Sequence, residues 1–214
     1  MHSLIINLSP RAKGTSAMLS ALCQYHLTGS GHTVEVLSLY AHPEDAGHIC
    51  NAVGKADCVV MVGPCYLNTF PADTFWLLEQ LHADTAIQHG QLLYGVIQGG
   101  MPYVHTHKSG LNALRLFADS CNFRYGGGFV LGLGAMLDGR PIEKLPNGRK
   151  VKRNLEAFLD HVCAGETSPD ALYEKSQLKV PSFLARILAA NMNKSIDKDL
   201  ISHRIDPKQK SPYG

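Results

Sequence analysis

One stretch constrains this chain more than any other: an apolar run that breaks directly into a loop of small hydroxylated residues, LIINLSPRAKGTS, at Leu4–Ser16. Leu4–Leu8 has the length and branched content of a buried strand. The run ends at Ser9-Pro10 in a loop carrying Arg11, Lys13, Gly14, Thr15 and Ser16, and Met18, Leu19, Leu22 and Cys23 then return at helical spacing. Strand, short loop and helix in succession aim several backbone N–H groups at one point. The helix dipole and two cations add positive potential there, which suits a phosphate. The same residues would also suit an ordinary βα turn in which Thr15 or Ser16 only caps the helix.

The loop contains neither G-x-G-x-x-G nor G-x-x-x-x-G-K-[ST], which argues against a dinucleotide turn and against a nucleoside triphosphate site. Hydroxyls with few glycines better fit a terminal monoester phosphate.

Apolar residues make up 45% of the 214 and charged residues 18%, enough for one well-filled globular domain with an appendage. A net charge of +2 provides no global field toward nucleic acid or an anionic membrane, and no apolar run approaches a membrane span. The six cysteines include no C-x-x-C, and Cys23, Cys58 and Cys121 fall on apolar faces as core residues. With no visible secretory signal, the expected setting is a reducing cytoplasm.

Further strands are expected at 33–39, 57–63, 92–98 and 129–133, and helices at 71–81, 108–121 and 151–162, with a weaker one near 49–53. Five strands alternating with helices imply a parallel sheet covered on both faces, and a phosphate loop after the first strand fits the order 2-1-3-4-5. The domain is expected to span residues 1–165. In the extension, 166–214, residues 166–170 read as a linker and Pro181–Lys194 as one amphipathic helix. Phe183, Leu184, Ile187 and Leu188 need burial there, which suggests a homodimer arm or a higher homo-oligomer.

In that sheet three loops meet at the carboxyl edge: Ser9–Ser16, Gly63–Pro71 (GPCYLNTFP) and Gln98–Tyr103 (QGGMPY). Backbone N–H groups of the second loop can act as donors to a flat heterocycle, Tyr66 and Leu67 can wall it, and Gly99-Gly100 allows close backbone approach. Tyr66 could equally be a core aromatic, and Gly99-Gly100 a plain turn.

LIINLSPRAKGTS, ADCVVMVGPCYLNTFPADTFWLLEQL and GVIQGG resemble the NADPH-dependent FMN reductase and iron–sulfur flavoprotein group of flavodoxin-like proteins, over about residues 3–163. The resemblance implies a flavodoxin-like three-layer sandwich with FMN as cofactor. It implies that Ser9, Arg11, Lys13, Thr15 and Ser16, with Gly14 in the turn, hold the FMN phosphate. Pro64, Cys65, Tyr66, Leu67, Asn68 and Thr69 would line the flavin, and Gly99 and Gly100 would close its other edge. Iron–sulfur members carry a compact cysteine cluster between strands two and three. Here that region has only Cys50 and Cys58, so no cluster is expected.

The eleven histidines show no H-E-x-x-H, and no metal site is expected. His105 or His107 could lie over the flavin as a proton donor. The basic run Arg140–Arg153 reads as a solvated helix start, or alternatively as a landing patch for the extra phosphate of NADPH. The expected function is NAD(P)H oxidation by an FMN enzyme, with electrons passed to a flavin, quinone, azo or nitro acceptor. The alternatives are a flavodoxin-type electron carrier, or a binding module that has lost FMN.

Overall fold

The computed structural model describes residues 1–42, 45–66, 68–87, 90–177 and 181–207, apart from the side chains of residues 182, 185 and 188. Five parallel strands form one sheet in the order β2-β1-β3-β4-β5: β1 His2–Asn7, β2 Thr33–Ser38, β3 Cys58–Pro64, β4 Leu92–Gln98 and β5 Arg124–Leu131. β3 and β4 are buried at every position, because both faces of the sheet are covered. The covering helices are α1 Thr15–Gly29, α2 Gly47–Val53, α3 Ala72–Ala83, α4 Lys108–Ser120 and α5 Gly148–Ala164. α1 and α5 share one face, where His26 Nε2 meets Asp160 Oδ1 at 2.8 Å. In α5, Val151, Leu155, Phe158, Leu159 and Val162 form the buried stripe their spacing predicts. The architecture is the parallel sheet covered on both faces that the alternation of strands and helices predicts, and the flavodoxin-like sandwich that the resemblance implies.

β5 begins earlier than its apolar content suggests, because Gly126, Gly127 and Gly128 leave room for side chains from neighbouring elements. A Cβ at Gly126 would collide with the Tyr94 ring, and one at Gly128 with Leu111. Gly127 takes φ +107 at the register shift between Leu93 and Tyr94.

The compact unit runs Met1–Leu178, beyond the boundary at 165 expected from sequence. Residues 166–170 are not a free linker. Tyr94 Oη donates to Glu166 O at 2.9 Å, and Ser168 N–H donates to Gly126 O at 2.8 Å on the outer edge of β5. A short helix, α6 Ala171–Ser176, follows and buries Tyr173. The second unit, Lys179–Gly214, contains α7 Ser182–Ser202, longer than the helix expected at 181–194. α7 is not amphipathic along its length: Phe183 and Ile187 lie on one side, and Ile196 and Leu200 on roughly the opposite side at helical spacing. No helix among the described residues is long and apolar enough to cross a membrane.

Candidate functional site at the carboxyl edge of the sheet

The three loops expected to meet do follow the adjacent strands β1, β3 and β4. In the first, Asn7 Oδ1 accepts the Ser9 amide at 3.1 Å and Ser9 Oγ accepts the Arg11 amide at 3.2 Å, which folds the chain back toward α1. α1 starts on Gly14, which brings no side-chain cap. Among the described residues, the amides of Ala12, Lys13, Thr15 and Ser16 donate to no group; Gly14 N–H donates to Arg11 O at 3.3 Å. This cluster of free donors at a helix amino end, with the exposed Arg11 and Lys13 beside it, has the donor arrangement that an anion would satisfy.

Thr15 and Ser16 are buried, and their hydroxyls have different surroundings. Thr15 Oγ1 donates to Gly134 O at 2.8 Å and accepts the Gly139 amide at 3.4 Å, so its proton ties α1 to the loop after β5. Ser16 Oγ accepts from Gln98 Nε2 at 3.4 Å, across from the end of β4.

The loop after β5 is the part of the site that sequence reasoning missed. Arg11 Nη1 stands 3.2 Å from Asp138 Oδ1, and a Cβ on Gly139 would collide with Lys13 O. Leu133, Asp138 and Gly139 all take left-handed backbone, at φ +57, +48 and +82. The glycines and aspartate were the only visible signal, since the contacts run mostly through backbone atoms.

In the second loop Pro64 closes β3, and Cys65 N–H donates to Gln98 O at 2.8 Å. Tyr66 and Thr69 exchange both backbone bonds, at 2.7 and 3.0 Å, around Asn68 at φ +70. Leu67 lies outside the described residues. The amides of Cys65, Tyr66 and Thr69 are therefore engaged within the protein, and among the described residues of this turn the Asn68 amide is the free donor. Tyr66 is 51% exposed, not a core aromatic, while Phe70 is buried and fills the space beside Gly63 and Gly110. Burial pushes the Cys65 thiol up to about 11. Tyr40 Oη donates to Asp73 Oδ2 at 2.6 Å; burial, with the Asp73 carboxylate, holds that phenol well above its ordinary range.

In the third loop Gly99 N–H donates to Leu131 O and Gly99 O accepts the Ala135 amide, both at 3.3 Å; the Gly100 amide donates to no group among the described residues. A Cβ on Gly99 would collide with the His107 ring, so this glycine is required by packing. His107 does not lie over the site as a proton donor. It is 3% exposed, with Nε2 on Met101 O at 3.1 Å and Nδ1 buried with no hydrogen-bond partner among the described residues, and burial lowers its pKa. His105 is exposed and stacks on Tyr103 at 5.7 Å. Of the basic run, Arg140 closes a turn through Leu137 O and Met136 O at 2.9 and 2.7 Å, and Lys152 pairs with Glu143 at 2.6 Å.

No family model and no curated protein sequence matches this chain. Solved structures do. An NADH:FMN oxidoreductase in its apo form aligns with TM-score 0.59 at 17% identity, over 81% of this chain and 94% of that one. A flavone reductase aligns with TM-score 0.62 at 11% identity, over 85% and 72%. A flavodoxin of Streptococcus pneumonia aligns with TM-score 0.57 at 16% identity, over 77% and 99%. At such identities the likeness is one of fold, and the fold is flavodoxin-like.

Proposed function

We propose that this chain is an FMN-dependent oxidoreductase that takes electrons from NADH or NADPH and passes them to a flavin, quinone, azo or nitro acceptor. The observation that carries the reading is the group of free amides at Ala12, Lys13, Thr15 and Ser16, at an uncapped helix end beside two exposed cations. A monoester phosphate satisfies such a group, and a dinucleotide turn or a triphosphate loop would need glycines that are missing here. The names of the oxidoreductase and flavone reductase with this fold support the same class.

When bound, FMN would supply the two-electron chemistry. The chain's own residues hold and orient it. Arg11 and Lys13 contribute charge at the phosphate, Ser16 a hydroxyl, and Asn68 and Gly100 free amides toward the ring. Tyr66 offers an exposed aromatic face as a wall. Thr15 acts at one remove, fastening the phosphate loop to the loop after β5. His107 supports the third loop from beneath Gly99 and leaves proton delivery to solvent or to the exposed His105. A cytoplasmic homodimer joined through α7 completes the proposal.

The test is to load the purified protein with FMN and mix it with NADPH or NADH without oxygen. Rapid bleaching of the flavin absorbance by either nucleotide is expected. Bleaching by dithionite but by neither nucleotide would instead identify an electron carrier.

A further inference from the structure

We infer that Gln98 is a positioning residue for the anion at the amino end of α1, acting through the Ser16 hydroxyl; this rests on the phosphate reading above. Gln98 is the last residue of β4 and is 8% exposed. Its Nε2 donates to Ser16 Oγ at 3.4 Å, while its Oε1 is buried with no partner among the described residues. Ser16 is fully buried, and its hydroxyl donates to no described group.

A serine hydroxyl has one proton and two lone pairs. With an amide donor behind it, Ser16 Oγ is fixed as the acceptor toward Gln98, and its single proton is left for a group on the other side. The free amides of the α1 amino end are donors and cannot receive it. Only an incoming acceptor, such as a phosphate oxygen, completes the chain from Gln98 Nε2 through Ser16 Oγ to the ligand, and each bond in such a chain polarises the next. Gln98 Oε1 sits against Gly134, where a Cβ would come within 2.8 Å of it, and this packing sets the direction of the amide.

Fluorescence titrations with FMN and with riboflavin on wild type, Ser16→Ala, Gln98→Met and the double variant test this. Either single change should weaken FMN about tenfold and leave riboflavin within about twofold. In the double variant FMN should bind within about twofold of Ser16→Ala, because the glutamine acts only through that hydroxyl. A purely structural glutamine would weaken both ligands alike, or add its full loss to that of Ser16→Ala, and either result overturns the inference. Should Gln98→Met not fold, Gln98→Glu serves: its carboxylate draws the Ser16 proton inward, so FMN should bind more weakly than to Ser16→Ala. Unchanged FMN affinity in Gln98→Glu overturns it. If wild type does not distinguish FMN from riboflavin, the phosphate reading falls and this inference with it; discrimination with additive losses removes the inference alone.

Discussion

Arg11 Nη1 and Asp138 Oδ1 stand 3.2 Å apart, an ion pair that joins the loop after β1 to the loop after β5 beside the free amides of α1. Both side chains are about two-thirds exposed, so the pair adds at most about 1 kcal/mol to stability. Its effect on ligands is larger, because Asp138 competes with an anion for the same guanidinium. Asp138→Asn should therefore strengthen FMN binding a few-fold at low salt, leave riboflavin unchanged, and lose the gain at high salt. Asparagine tolerates the left-handed backbone at this position, φ +48, so stability should stay within about 1 kcal/mol. Titration at two ionic strengths, with urea unfolding alongside, checks both halves.

Thr15→Val should cost more stability than Asp138→Asn. The change keeps shape and branching but removes one of two donors to Gly134 O, which keeps the Leu137 amide, and takes away the acceptor of the Gly139 amide, at a cost of about 1–3 kcal/mol. A lower urea midpoint at an unchanged denaturant slope is the expected result.

His107 sets a pH dependence. Burial lowers its pKa below the ordinary 6.5, so the unfolded chain takes up a proton more readily than the folded one. Its contribution to stability is complete above that ordinary value and is lost as pH falls from there toward the lowered one. His107→Gln can still donate to Met101 O but does not titrate. The thermal midpoint of the wild type should therefore fall more steeply than that of the variant on acidification below pH 6.5.

Removing residues after Gln177 leaves the compact unit with residues 166–170 and α6 in place. If α7 joins two copies, the truncated protein should have half the mass by light scattering while keeping FMN affinity. The exposed Phe183, Ile187 and Met192 motivate this. An unchanged mass would remove α7 as the contact.

β1, β3, β4 and their order were legible because a buried parallel strand is a continuous apolar run, and Val59–Val62 is as plain an instance as a chain offers. The first half of β5 was not, since three glycines carry no side-chain pattern and their role lies in what Tyr94 and Leu111 place over them. Residues 166–170 looked like a linker because their anchoring runs through their backbone, from Ser168 N–H to Gly126 O and from Tyr94 Oη to Glu166 O. The loop after β1 was visible as residue types, but the division of labour between Thr15 and Ser16 depends on Gly134 and Gln98, which lie more than eighty positions away in sequence. The donors expected from Cys65, Tyr66 and Thr69 could not be excluded in advance, because only the folded turn shows those amides already bonded.

The burial of Cys65 has a chemical consequence for the redox function proposed above, if it runs in the presence of oxygen. Reduced cofactors that meet oxygen release peroxide, and peroxide attacks thiolates, not thiols. With its thiol pushed up to about 11, Cys65 is ionised at neutral pH in only on the order of one molecule in ten thousand. Cys23 and Cys58, pushed up to about 12, are ionised still less. The sulfur beside the candidate site is thus shielded from the oxidant that the site itself would generate, and repeated turnover in air should leave Cys65 unoxidised.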